Sequence, residues 1–160
     1  MAQTTARKVA NLILVAARDR HMEISNLKLQ KLLYYCQAWY LAALDFPLFS
    51  ERIEAWIHGP VVPPVFGDFK VNRWRPIDLS GVITEPIEDG DPRWPVHDLV
   101  IEVMNAYGDM TGPELEALTH NEEPWKIARN GIPSDEPSTS TITHQSMRAF
   151  YSPQLMSTSE

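Results

Sequence analysis

The segment from Ser25 to Leu44 constrains the fold most strongly, because it contains no Gly or Pro and carries the clearest helical period in the chain. On a helical wheel its apolar residues form two groups on nearly opposite sides. The wider group is Leu29, Leu32, Leu33, Cys36, Trp39, Tyr40, Ala43 and Leu44, and the narrower one is Leu27, Tyr34, Ala38 and Leu41. A helix at the edge of a domain has one apolar face, so this one is expected to be covered on both. The sequence therefore predicts a central buried helix of about 30 Å.

Other segments predict further helices, each with its own start or stop signal. Thr4 or Thr5 can cap a helix that runs to about Arg20, and Thr111 with Glu114 forms a T-x-x-E capping box. The remaining predicted helices follow Val61, Pro95, Pro124 and Thr143, and the helix that begins after Thr111 ends near His120. The predicted fold is mainly α: a single compact domain of about six helices around the central helix 25–44, with a small β hairpin.

The predicted strand lies at residues 53–57, where apolar and polar side chains alternate. Gly59 and Pro60 are expected to end it, and its partner is expected at Leu48-Phe49 or near Ile142. Residues 71–94 are acidic and rich in Gly and Pro, which predicts an irregular excursion with a loose hairpin at 77–83. The domain is expected to cover residues 1–151, and residues 152–160 are expected to form a mobile tail.

The overall composition excludes several classes of protein. The 160 residues are 44% hydrophobic and 22% charged, which is typical of one globular domain. The net charge of −7 argues against a nucleic-acid-binding surface. No apolar run reaches the roughly 20 residues of a membrane span, and the N-terminus does not match a signal peptide. With Cys36 as the single cysteine, no internal disulfide is possible. We therefore expect a cytoplasmic protein with neither nucleic-acid nor membrane partners.

Motifs for catalysis, metal binding and phosphate binding are missing from the sequence. The five histidines form no H-E-x-x-H motif, the lone Cys36 has no C-x-x-C partner, and no glycine-rich phosphate loop or G-x-S-x-G motif is present. Cys36 lies among apolar positions of the central helix, where a thiol usually packs as a small apolar group. The sequence predicts no catalytic residue, no metal and no cofactor.

Two segments concentrate aromatic, His and Pro residues at the junctions between predicted elements. They are residues 54–63, with Trp56, His58 and Pro60, and residues 118–125, with His120 and Trp125. Each can be a rigid corner that closes the core, or a concave surface whose aromatic groups anchor a partner. The flank of the central helix that carries Lys28, Lys31 and Tyr35 is a further candidate. The predicted partner-binding residues are Tyr35, Trp56, His58, Pro60, His120 and Trp125.

The order of several motifs resembles the Panacea domain family, which includes SocA-type antitoxins and phage-associated GepA-like proteins. The motifs are LKLQKLLYY at 27–35, Ala38-Trp39, PLF at 47–49, IEAW at 53–56, GPVV at 59–62 and Phe69-Lys70. A Leu-Thr-His element at 118–120, followed by Pro124-Trp125 and Phe150-Tyr151, matches the C-terminal half of the family. The resemblance covers residues 5–151 except for 71–94.

The resemblance implies an antitoxin of a bacterial or phage toxin–antitoxin system, which neutralises a cognate toxin by binding it directly. Two alternatives remain open from the sequence. The chain could be a proteolytic adaptor that delivers the toxin to a ClpXP-type protease, or an enzyme that modifies the toxin or a small molecule through His58 and His120. Neither the identity of the toxin nor an oligomeric state follows from the sequence.

Overall fold

The computed structural model describes residues 2–158, with the side chains of residues 2–155. The helices are α1 (Ala6–Asp19), α2 (Asn26–Leu44), α3 (Pro63–Phe69), α4 (Val96–Tyr107), α5 (Gly112–His120), α6 (Glu123–Arg129) and α7 (His144–Thr158), with a 3-10 turn at Lys70–Asn72. The strands are β1 (Ile53–Trp56), β2 (Gly59–Val61) and β3 (Thr141–Ile142). The prediction of a mainly α domain with a small β element is confirmed.

Helix α2 is central, as its two apolar faces predict. It is buried on nearly all sides, polar residues such as Gln30 and Gln37 included, and α1, α4, α5 and α7 pack against it. Its ends follow local signals: the Ser25 hydroxyl accepts a hydrogen bond from the Lys28 amide, and Asp45 closes the helix in the left-handed conformation. The Gln37 side chain bonds the backbone of Leu48 and Phe49, and thereby ties the chain that leaves α2 back onto it.

The capping signals elsewhere in the chain are also confirmed. Thr5 caps α1, and Thr111 and Glu114 form both hydrogen bonds of the capping box at the start of α5. Pro63 lies in the first turn of α3, where the missing amide hydrogen leaves no helical bond unmade. The Thr143 hydroxyl accepts a hydrogen bond from the Ser146 amide at the start of α7.

The sheet corrects one prediction about the strand. Gly59 and Pro60 do not end the sheet but begin the return strand β2, so that Ala55 pairs with Pro60 and Trp56 pairs with Gly59. The strand order is β2-β1-β3, and β1 pairs on its other side with β3, near Ile142 as predicted. The alternative partner, Leu48-Phe49, is wrong. Phe49 instead forms an isolated bridge with Thr4.

One further expectation differs from the structure. The described residues 77–83 contain no strand, and the Ile77 amide instead donates to the Ile24 carbonyl, 2.8 Å away. Helix α7 continues past Tyr151 to Thr158 through Pro153, and the Ser152 hydroxyl donates to the Ala42 carbonyl of α2. The last two residues of the predicted mobile tail lie outside the described residues. No helix within residues 2–158 combines the length and apolarity needed to cross a membrane.

Candidate partner-binding site

The β1-β2 hairpin presents Trp56 and His58 at its tip. The two strands are joined by Ile57 and His58, and Gly59 has a φ of 108°, a conformation that side chains other than glycine rarely adopt. The Trp56 indole donates to the Glu54 carboxylate at 2.8 Å and contacts the Phe66 ring edge-on. These contacts fix the direction of a tryptophan that is only half-buried.

The first turn of α6 packs against the hairpin through Trp125. Its indole nitrogen donates to the Trp56 carbonyl at 2.8 Å, and its side chain is 4% exposed. The His120 ring stacks on Trp125 with 3.9 Å between centroids, and the Arg129 guanidinium carbon lies 4.7 Å from the Trp125 centroid. Trp125 therefore joins the two predicted corners into one rigid unit.

Arg129 is a buried cation that the sequence analysis did not single out. It is 1% exposed, and it donates to the carbonyls of Ala55 at 3.1 Å and Pro133 at 2.7 Å, as well as to the Glu136 carbonyl. These bonds pair both terminal nitrogens of the guanidinium and hold the polar segment before β3 against β1, while the buried Nε has no hydrogen-bond partner among the described residues. The sequence did contain one signal for this contact, because Arg129 follows Trp125 by four residues and so lies on the same face of α6.

A contact between two polar side chains connects the hairpin tip to α5. His58 Nδ1 lies 3.3 Å from the Glu116 carboxylate, and both side chains are accessible. Burial lowers the pKa of His120, and the Glu116 carboxylate opposes this effect. We call the accessible group Trp56, His58, Glu116 and His120 the hairpin corner.

Lys31 lies beneath this corner and is fully buried. Its ammonium has no hydrogen-bond partner among the described residues, and burial lowers its pKa to about 8. The hairpin passes so close that a Cβ added at Gly59 would lie 2.9 Å from Lys31 Cε. Gly59 therefore serves both the turn and the accommodation of the lysine side chain.

Tyr35 belongs to a buried cluster and not to an accessible surface. Its hydroxyl donates to Glu122 Oε1 at 2.6 Å, and the Tyr151 hydroxyl donates to the same oxygen at 3.0 Å. The Tyr35 ring stacks on Tyr107 with 3.9 Å between centroids. Burial raises the pKa of both Tyr35 and Glu122. Because Tyr35 has no exposed surface, it can act on a partner only through the position of Glu122 at the start of α6.

The structure thus brings five of the six predicted residues together but leaves only some of them accessible. His58 is exposed, and Trp56 and His120 are half-buried. Pro60 and Trp125 are buried and serve the shape of the corner. Glu116 was missed because an isolated glutamate on a helix carries no sequence signal.

Neither a metal cluster nor a reactive thiol is found among the described residues. No group of three or more His, Cys, Asp or Glu side chains there is arranged to hold a metal ion. Cys36 is buried, and burial raises the pKa of its thiol well above the ordinary value. Its environment is that of a packing residue, because the thiolate is the reactive form.

The chain is similar to a known protein family and to a curated protein. The model of the family described as "Antitoxin SocA-like, Panacea domain" matches residues 29–93, which include most of α2, the hairpin, α3 and most of the irregular segment before α4. Antitoxin SocA of Caulobacter vibrioides (strain NA1000 / CB15N) is 36% identical over 137 residues, which are 79% of this chain and 71% of the relative. No solved structure matches the chain.

Proposed function

Because the chain belongs to the SocA-like antitoxin family with the Panacea domain, we propose that it is an antitoxin that neutralises a cognate toxin by binding it directly. The observation that carries the proposal is the similarity to an antitoxin over most of both chains. The bacterial relative also makes a bacterial or phage toxin–antitoxin system the natural setting.

The hairpin corner supports direct binding as the mechanism. Trp56 offers a half-buried indole whose direction is fixed by Glu54 and Phe66. The neighbouring His58 and Glu116 add a polar rim. A rigid aromatic group beside polar side chains is typical of interface anchors, because little conformational entropy is lost when it binds.

The proposal is tested with the product of the gene adjacent to that of this chain. The two purified proteins are expected to co-elute as a stoichiometric complex, and expression of the chain is expected to restore growth of cells that produce the toxin. If the chain restored growth without any complex, direct binding would be wrong.

Variants locate the binding surface. Trp56→Ala and His58→Ala are each expected to weaken the complex by at least about tenfold if they remove anchor contacts. His97→Ala, an exposed histidine on α4, is the matched control and is expected to bind as the parent protein does. Equal binding by all three variants would place the interface elsewhere.

The same purified components distinguish the two alternative mechanisms. A proteolytic adaptor would accelerate degradation of the toxin by a purified ClpXP-type protease, whereas a sequestering antitoxin would protect it or leave the rate unchanged. An enzyme that uses His58 and His120 would lose growth rescue in the double His→Ala variant even where binding persists. Full rescue by that variant would exclude this chemistry.

A further inference from the structure

A short basic loop stands out against the acidic background of the chain. Residues 70–75, KVNRWR, carry three of the 14 Lys and Arg residues of a protein with a net charge of −7. The same loop holds the two most exposed large apolar side chains among the described residues, Trp74 at 79% and Val71 at 78%. We call residues 70–75 the basic loop. An exposed tryptophan beside unneutralised cations is unusual on a surface that has no partner.

The cations of the basic loop are not neutralised within the described part of the chain. Lys70, Arg73 and Arg75 are exposed, and none of them forms a salt bridge or a side-chain hydrogen bond there. Several other surface cations are paired, as Arg7 is with Asp68 at 2.7 Å and Lys8 is with Glu88 at 2.7 Å. The positive charge of the loop is therefore available to an external group.

The backbone of the basic loop is held at both ends. It begins in the 3-10 turn that follows α3, where the Arg73 amide donates to the Lys70 carbonyl at 3.0 Å. Immediately after the loop, Pro76 bridges to Ser25 and the buried Ile77 bonds the backbone of Ile24. Trp74 is consequently presented from a fixed backbone, which lowers the entropy lost on binding.

A cleft beside Trp74 extends this surface towards the hairpin corner. It has a volume of about 220 Å³ and is lined by Ser25, Leu27, Trp74, Gly112, Pro113 and Glu116. Glu116 also pairs with His58. One continuous surface therefore runs from Trp74 through the cleft to the tip of the hairpin.

We propose that the basic loop docks an acidic surface of the cognate toxin, with the Trp74 indole inserted into an apolar pocket of that toxin. This inference rests on the proposed antitoxin function. The three cations favour a partner with an acidic surface, and the exposed indole favours a partner whose surface also has an apolar pocket. A protein fits better than a nucleic acid, because a protein can present a local group of carboxylates beside an apolar recess. A nucleic acid carries phosphates along its whole length, which Glu116 and the acidic remainder of the chain repel.

The test measures the affinity of the full chain for the purified product of the adjacent gene. Trp74→Ala is expected to weaken binding by at least about tenfold. Arg73→Glu/Arg75→Glu is expected to weaken binding by a similar factor and to remove most of its dependence on salt. The controls are Ile83→Ala, an apolar side chain with 70% exposure, and Arg73→Lys/Arg75→Lys, which keeps the charge. Both controls are expected to stay within about threefold of the parent affinity.

The outcomes separate this inference from the function on which it rests. If the parent chain does not bind the toxin, both are wrong. If the parent and all variants bind equally well, only the role of the basic loop is wrong. Binding of fluorescein-labelled 20-nucleotide DNA or RNA that is lost in Arg73→Glu/Arg75→Glu, with toxin affinity unchanged, would make the loop a nucleic-acid surface and overturn the inference. Urea midpoints of the variants confirm folding, and the exposure of Trp74 makes a large change unexpected.

Discussion

Lys31 shows how a single residue under the hairpin affects the stability of the whole chain. Its ammonium lies in the interior beside Gly59 without a hydrogen-bond partner in the described residues. Burial disfavours the charged form and lowers the pKa of Lys31 from 10.5 to about 8. At neutral pH the folded protein therefore carries a buried charge that the unfolded chain would expose to water. This cost is fully present below about pH 8.

We expect Lys31→Met to raise the free energy of unfolding on the order of 1–3 kcal/mol at pH 7, because methionine fills a similar volume without a charge. Between about pH 8 and 10.5 the unfolded parent binds more protons than the folded parent, so its stability rises with pH across this window. The difference between parent and variant should therefore shrink as the pH rises. Urea unfolding at pH 7 and pH 9.5 measures both effects.

Lys126→Met provides the matched control, since Lys126 is an exposed lysine on α6. It is expected to change neither the stability nor its dependence on pH. A Lys31→Met variant less stable than the parent would contradict the argument and would indicate that the ammonium makes a favourable contact.

At the scale of elements, Glu122 is the point where three helices meet. The hydroxyls of Tyr35 on α2 and Tyr151 on α7 both donate to it, and it precedes the first residue of α6. The Tyr34 and Tyr151 hydroxyls are also bonded to each other, at 3.0 Å. A shared acceptor of this kind fixes the relative positions of helices that are distant in sequence.

Glu122→Ala is expected to lower the free energy of unfolding by about 1–3 kcal/mol, because two buried hydroxyls lose their acceptor. Glu122→Gln keeps an acceptor and is expected to stay within about 1 kcal/mol of the parent near neutral pH. Since burial raises the pKa of Glu122, its stabilising contribution is full below the unfolded value of 4.5 and falls as the pH rises through the folded value. The stability of the glutamine variant relative to that of the parent should therefore increase as the pH rises. Thermal unfolding of both proteins from pH 4 to pH 7 measures this difference.

Prediction from sequence succeeded where the signal was local. The caps at Thr5 and Thr111, and the two-sided burial of α2, follow from residues a few positions apart. It failed where distant segments decide the outcome. A helical wheel cannot show which polar flank is covered. The flank with Lys28, Lys31 and Tyr35 is a candidate contact surface in the sequence, but all three residues are buried in the structure, Lys31 under the hairpin and Tyr35 against Tyr107.

At the scale of the molecule, α7 covers α2 over more of its length than the sequence suggests. The Leu155 side chain lines a groove of about 240 Å³ together with Trp39 and Trp94. The sequence signal was weak because α7 contains Pro153 and few apolar residues. The C-terminal part of α7 is helical because it packs on α2, and local helix propensity does not predict such packing.

Deletion of residues 153–160 is expected to lower the free energy of unfolding by about 1–2 kcal/mol, because Leu155 no longer covers apolar surface around Trp39. Deletion of residues 159 and 160 alone is the control and is expected to have no effect. Urea unfolding of both truncations gives the comparison. Equal stability of the two would support a mobile tail from residue 152, as the sequence predicts.

The single thiol in the middle of α2 is a built-in chemical probe of how often the protein opens. Cys36 is the only cysteine, it is fully buried, and burial raises the pKa of its thiol. An alkylating reagent can therefore reach it only in molecules that have opened around the central helix. The rate of labelling by iodoacetamide would report that opening without a denaturant or an engineered probe. A toxin that binds only the folded chain would slow the labelling, and the decrease in rate would depend on the ratio of the toxin concentration to its Kd.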